Sequence, residues 1–272
     1  MAASTRLPIL VVNPNTTEAM TASVETMLSP LLTDTSFPKP TYFTCPSPGV
    51  ASINSSHDCH QSAMIILPHL IPLLSSHSAV LIACYSHHPL VQQLLPYTNG
   101  EKPVLGIFEA SVLSSMANLA STLQLKGHHE GSASSEQDEQ AAVKSARARF
   151  GIVSTGKVWE SLLTQAVDTF LGTSENSALF AGVETTGLTA VEVHDSSPEL
   201  VKKRTKDAVT RLLRKGDVGA ICLGCAGFAG MDHTVREAAV EELGAAEGER
   251  VKIIDGVKVG YFMLEGMVKT GL

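Results

Sequence analysis

The chain of 272 residues is sparing with several things at once: aromatic residues are 5%, with one tryptophan, Trp159, and charged residues are 17%. No block of lysine and arginine occurs, and the formal net charge is −7. A mildly acidic chain without a basic stripe lacks the footprint of a nucleic-acid binder or of a polybasic membrane contact. No stretch reaches the roughly 18 uninterrupted apolar residues of a membrane span. The longest candidate, "AMIILPHLIPLL" (63–74), is interrupted by Pro68, His69 and Pro72. The opening "MAASTRLPILVVNPNTT" enters a β-branched run with neither the apolar core nor the small-residue cleavage site of an export signal. Cysteines number five, at 45, 59, 84, 222 and 225. An odd count without an export signal argues against a disulfide framework and for buried or reactive thiols. The expectation is a soluble, cytoplasmic protein with a small molecule as partner, compatible with a homo-oligomer, and without nucleic acid or membrane partners.

What the chain does have is apolar material, 44% of its residues, enough for one large domain or two ordinary ones. Short β-rich runs alternate with amphipathic stretches: "PILVVN" (8–13), "TYFTC" (41–45), "AVLIAC" (79–84) and "PVLGIF" (103–108) each lead toward a helix. The second half repeats the order with "FGIVST" (150–155), "LFAGVETT" (179–186), "GAICLGC" (219–225) and "VKIIDG" (251–256). This alternation is the pattern of an α/β fold with a mainly parallel sheet. A polar segment at 126–149, with adjacent His128 and His129, reads as an exposed insertion between the halves.

One ungapped shift of 141 residues carries Asn13 onto Ser154 and Cys84 onto Cys225. It also lays "TCPSPG" (44–49) on "TTGLTA" (185–190). Two similar Rossmann-like lobes are therefore expected, and ligands of open α/β sheets bind outside the carboxyl ends of the strands. Asn13, Cys84, Ser154 and Cys225 all fall at such ends. Lobes facing one another would present a thiol from each side of the cleft between them.

Four motifs carry candidate chemistry. In "VVNPNTTEAM" (11–20), a turn leads into a helix whose free N–H groups could meet a carbonyl, with Asn15 and Thr16 as binding residues. In "ACYSHHPLVQQLL" (83–95), Pro89 suits the first turn of a helix, which would leave Cys84 near a helix N-terminus that favours thiolate; Ser86 lies within reach. In "CLGCAGFAG" (222–230), Gly224 and Gly227 let the backbone approach a ligand, making Ala226 and Gly227 candidates to hold a developing oxyanion. In "GIVSTGKVW" (151–159), Ser154 and Thr155 are hydroxyl donors at the matching strand end, with helix capping as the equal alternative. A zinc site of Cys84, His87, Cys222 and Cys225 is a competing arrangement, but strand alternation sets Cys222 in the core and away from Cys225, so no metal is expected. Asp58, Glu109, Asp195 and Asp255 are isolated carboxylates, read as caps or surface charges.

These residues resemble the aspartate/glutamate/hydantoin racemase superfamily, most of all its hydantoin and allantoin branch. The resemblance runs through "NPNTT" (13–17), "IAC" (82–84), "PVLGIFEAS" (103–111), "GIVST" (151–155), "GLTAVEV" (187–193) and "LGCAGF" (223–228). It implies two pseudo-symmetric lobes, chemistry without a cofactor, and Cys84 and Cys225 as an acid/base pair acting from opposite faces of a stereocentre. It also implies helices crossing between lobes, so that residues 1–108 with 256–272 form one lobe and 109–255 the other. The Asp-Ser-Gly and Cys-Thr-His patterns of glutamate racemases are absent, which favours a neutral hydantoin ring over a free amino acid. An amino-acid racemase, an enzyme of maleate-isomerase or arylmalonate-decarboxylase type, and a non-catalytic thiol or metal-binding protein remain the alternatives. The chain departs from the branch at His87 and His88, where an acidic residue usually stands before the proline. His88 would then select a different ring substituent or sit on the surface.

Overall fold

The computed structural model describes residues 6–34, 36–127, 147–173, 178–228 and 230–272. The first half contains β1 (Ile9–Asn13), α1 (Glu18–Leu28), β2 (Thr41–Thr44), α2 (Ser56–Leu70), β3 (Ala79–Ile82), α3 (Leu90–Thr98), β4 (Val104–Gly106) and α4 (Ile107–Gly127). The second contains β5 (Arg149–Ser154), α5 (Val158–Leu171), β6 (Phe180–Thr185), α6 (Ala190–Asp195), α7 (Pro198–Leu213) and β7 (Val218–Gly224). It closes with α8 (Asp232–Leu243), α9 (Ala245–Arg250), β8 (Lys252–Asp255) and α10 (Gly256–Thr270).

The strands form two four-stranded parallel sheets of the same order, β2-β1-β3-β4 and β6-β5-β7-β8. The internal repeat reaches down to the register. Asn13 pairs with Thr44 as Ser154 pairs with Thr185, and Val12 pairs with Ile82 as Val153 pairs with Leu223. Each of these pairs maps onto its counterpart by the same 141-residue shift.

Helix boundaries follow local chemistry. Ser55 caps α2 by accepting from the Asp58 N–H, and Thr189 and Glu192 form a capping box on α6, a short helix with no counterpart in the sequence reading. Asp255 accepts from the Val257 and Lys258 N–H groups at 2.9 and 3.2 Å, which accounts for this carboxylate as the cap of α10. The helical stretch after "GAICLGC" forms two helices, because Gly244 adopts a φ of 81° between α8 and α9. Of the polar segment 126–149, Lys126 and Gly127 end α4 and Arg149 opens β5, while residues 128–146, His128 and His129 among them, lie outside the described residues.

One core joins the two sheets. It includes Ile9, Val11 and Leu81 from the first and Phe150, Ile152 and Ala220 from the second, together with Phe108 and Val112 of α4 and Tyr261 and Leu264 of α10. Both α4 and α10 touch strands of both sheets and pack on each other. Their approach is close because α10 presents glycines: a Cβ at Gly256 would fall on the carbonyl of Ile107, and one at Gly260 would come within 2.8 Å of Leu81 and 3.3 Å of Ala110. Separate cores lie on the outer side of each sheet.

Substituting Gly256→Ala should force these helices apart at their N-termini. A loss of about 1–3 kcal/mol, the usual scale of overpacking, is expected in urea denaturation. An unchanged midpoint would show that the helices do not meet this closely.

Candidate active site

Beyond the last residue of β3, the N–H of Ala83 still donates to Val12 O at 2.8 Å, which holds the following Cys84 against the sheet end. Cys225 follows directly on β7. All five cysteines are unpaired; Cys45, Cys59 and Cys222 are buried, whereas Cys84 and Cys225 are half-buried. Those two line one cavity of about 50 Å³, with Asn15, Thr155, Trp159, Ala226 and Gly227 also on its walls. Trp159, Tyr85 and Met20 also line it, outside the candidate residues of the four motifs, although Trp159 closes "GIVSTGKVW". A lone tryptophan one turn past a strand end is the signal that could have marked it.

Each thiol has a polar partner two residues further along the chain. Ser86 Oγ lies 3.4 Å from Cys84 Sγ, and the Gly227 N–H donates to Cys225 Sγ at 3.2 Å. Ser86 and Gly227 are themselves related by the 141-residue shift, so the two lobes solve the same problem with a hydroxyl in one and a backbone amide in the other. Burial nevertheless dominates the acidity. Loss of water lifts the Cys84 thiol well above its ordinary range, helped by nearby Cys59, while Ser86 acts in the opposite direction. Cys225 is pushed up to about 11 by the same desolvation, against the pull of the Gly227 and Phe228 amides. The expectation of a thiolate at Cys84 favoured by a helix end is therefore corrected: both thiols are protonated at neutral pH, and the amide donation is found at Cys225.

The Asn-Pro-Asn turn is also used differently from its sequence reading. Its N–H groups are consumed internally, Asn15 donating to Asn13 Oδ1 at 3.1 Å, Thr16 to Val50 O at 2.9 Å and Thr17 to Asn15 Oδ1 at 2.9 Å. Asn13 Nδ2 lies 3.1 Å from Thr17 O and 3.0 Å from Thr21 Oγ1, so this residue braces the turn. Asn15 reaches the cavity wall; Thr16 does not, and its methyl would meet any Cβ placed on Gly49. In the other lobe, Ser154 is buried and donates to Gly224 O at 2.7 Å, which makes it a brace between β5 and β7 rather than a free donor. Thr155, the next residue, faces the cavity. Gly224 belongs to the same brace, since a Cβ there would sit 2.8 Å from Val153 O and Ile152 Cγ2.

The four residues of the competing zinc arrangement do not converge. Cys222 turns to α4, with its sulfur 3.1 Å from Ser115 Oγ, and among the described residues no group of three or more His, Cys, Asp or Glu is placed to hold a metal ion. His87 is drawn sideways to Glu109, with 3.1 Å between Nδ1 and Oε1, and that partner raises its pKa. Glu109 is thus neither a cap nor a surface charge: it is buried, and its Oε2 has no hydrogen-bond partner among the described residues. His88 is neither on the surface nor on the cavity wall. It is buried, its Nδ1 accepts from the Leu90 N–H at 3.3 Å at the start of α3, and burial pulls its pKa down to about 3. Among the described residues no helix is long and apolar enough to cross a membrane.

Two outcomes follow from this chemistry. Iodoacetamide labelling read by peptide mass spectrometry should modify Cys84 and Cys225 ahead of the other three, and the Cys225 rate should keep climbing toward pH of about 11 instead of levelling near a free thiol's ~8.5. First labelling at Cys45 or Cys222 would contradict the cavity. His88 is neutral in the fold, so its contribution to stability is complete above its unfolded pKa of ~6.5 and is lost as pH falls toward about 3. Denaturation at pH 7 and at pH 4 should show a smaller acid-induced loss for His88→Leu than for wild type; an equal loss would remove His88 from the account.

Comparison with known proteins agrees with this architecture. An uncharacterised Schizosaccharomyces pombe protein is 32% identical over 271 residues, covering 97% of this chain and 93% of its own. The Saccharomyces cerevisiae protein DCG1 is 26% identical, with 96% of each chain covered. Among solved structures, allantoin racemase from Klebsiella pneumoniae superposes with a TM-score of 0.68 at 23% identity, over 98% of this chain and 89% of that one. Glutamate racemase from Francisella tularensis does so at 0.59 and 14% identity, over 98% and 82%. The family described as Asp/Glu/Hydantoin racemase matches residues 9–125 and 139–263, nearly the whole of both lobes, and the chain belongs to that family.

Proposed function

We propose that the protein is a cofactor-independent racemase of 5-substituted hydantoins, allantoin or a similar ring, with Cys84 and Cys225 as its acid/base pair. The observation that carries this reading is the placement of two repeat-related thiols, one from each sheet, on the wall of a single cavity. One cysteine, its thiol proton first released to solvent, removes the proton from C5 of the ring as a thiolate, and the opposite thiol delivers its own proton to the other face. The electron pair released at C5 moves onto the adjacent ring carbonyl and returns as the new C–H bond forms. After one turnover the roles are exchanged, so the same pair serves the reverse direction.

The lining argues for a neutral substrate. Among the described residues on the cavity wall none is Lys, Arg, His, Asp or Glu. An amino-acid zwitterion would leave both charges unpaired there, at a cost that ring N–H and carbonyl groups avoid. Asn15 and Thr155 supply an amide and a hydroxyl on that wall, and Ala226 and Gly227 line the side that bears Cys225. Ser86 acts on this reading through Cys84, and Thr16 and Ser154 through the shape of their turns. The fold shared with allantoin racemases supports the assignment.

A single enantiomer of allantoin or of 5-benzylhydantoin, incubated in deuterated water, should lose optical activity with deuterium entering C5. Cys84→Ser and Cys225→Ser should each lower racemisation by about 10²–10⁴-fold, the usual worth of a general acid or base. Full activity in either variant would sink the two-thiol mechanism, and activity confined to free amino acids would redirect the assignment to an amino-acid racemase.

A further inference from the structure

A second pocket of about 210 Å³ lies beside the cysteine cavity. Trp159 lines both, and the chain from Cys84 to His87 passes from one to the other, Cys84 and Tyr85 on the cavity and Ser86 and His87 on the pocket. Ser86 Oγ lies 3.4 Å from Cys84 Sγ and accepts from Cys59 Sγ at 3.5 Å, so the pocket wall reaches the catalytic sulfur through one hydroxyl. The cysteine cavity alone, at about 50 Å³, is far below the ~300 Å³ at the lower end of ligand sites. Together the two spaces approach that size.

Resting on the racemase reading above, we infer that this side pocket receives the substituent at C5 of the ring, and that the substituent it selects is uncharged and mainly apolar, aryl or branched alkyl. The geometry of inversion requires such a place. With one sulfur on each face of C5, the substituent leaves C5 sideways between them, as the ring does on its other side. The side pocket adjoins the Cys84 end of that gap. Trp159, Leu162, Leu163, Ala166 and Pro89 give it apolar wall, and Gln165 and Thr169 on it are exposed. Among the described residues no Lys, Arg, Asp or Glu lines it; of its two imidazoles, His87 is matched by Glu109, and His60 lies with Nδ1 2.8 Å from the Ser56 carbonyl oxygen. An ammonium on the substituent would find no carboxylate there and a carboxylate no lysine or arginine, whereas a ring or branched chain would cover apolar wall and the face of an indole.

Trp159 is the only tryptophan in the chain, so its fluorescence reports occupancy of the shared wall without any turnover. Binding of 5-benzylhydantoin, unsubstituted hydantoin, allantoin and hydantoin-5-acetic acid would be titrated on wild type and on Thr169→Phe and Ala166→Phe, which fill the pocket from an exposed and from a buried position on its wall. Thr169 is exposed, so its variant keeps the test valid should Ala166→Phe fail to fold. Expected are tighter binding of 5-benzylhydantoin than of the other three by wild type, and a shift of the benzyl-to-unsubstituted preference by at least about tenfold toward the bare ring in the filled variant, the scale at which pockets discriminate apolar groups. An unmoved preference, a preference for allantoin or the acid, or no binding of any of the four would overturn the inference. Racemisation is read separately. Benzylhydantoin bound in the side pocket but not racemised would fail the enzymatic reading alone, and brisk racemisation with an unmoved preference would fail the pocket alone.

Discussion

The contact of α10 with α4, close enough that Gly256 rests on the Ile107 carbonyl, sets the distance between the two sheets and with it everything at the cleft. Both helices bury side chains among strands of both sheets, and the resulting core is continuous from Ile9 to Ala220. A cleft between lobes held only by a flexible linker would open and close freely. Here the lobes share apolar area, so the strand ends carrying Cys84 and Cys225 meet at a spacing that the core decides. The small residues on α10 are the local device for this, because interiors pack densely enough that one methyl group is felt.

Closing the cleft also sets the chemistry of the thiols. The same exclusion of water that gathers the two sulfurs in one cavity raises their pKa values, and one partner apiece, Ser86 or the Gly227 amide, offsets only part of that. A resting site with two neutral thiols avoids repulsion between thiolates in a poorly solvated space. It also makes ionisation of one thiol a step of the reaction rather than a property of the free protein. On the proposed reading, donors aimed at each sulfur lower the cost of that step from either side, in keeping with a reaction that runs both ways.

Much of the architecture was legible in the chain itself, and for a specific reason. Parallel strands buried on both faces are written as short β-branched runs, and eight such runs in two matching series determined the sheets, their order of appearance and the equivalence of Asn13 with Ser154 and of Cys84 with Cys225. Less legible was the use made of each polar group. Asn13, Thr16 and Ser154 stand at strand ends as ligand-binding residues would, yet their hydrogen bonds are spent on the turns and on the neighbouring strand. Sequence position places a side chain at the cleft; only the completed hydrogen-bond inventory says whether it has a donor left to offer.

The histidines mark the same divide. By sequence His87 and His88 are adjacent and equivalent, but the turn before α3 sends one outward to Glu109 and the other inward beneath the helix, where its ring is held neutral. Adjacent residues on an irregular turn have no periodicity from which direction can be read. Trp159 belongs to the same class, since its importance comes from standing between two cavities formed by segments distant in the chain. The sequence by itself determined the repeated α/β units and the matched pair of cysteines, because periodic burial and spacing are local properties. The tertiary structure alone decided which polar groups remain free, how strongly the thiols hold their protons and where a side pocket opens, because each depends on what distant segments take away: water, hydrogen-bond partners and space.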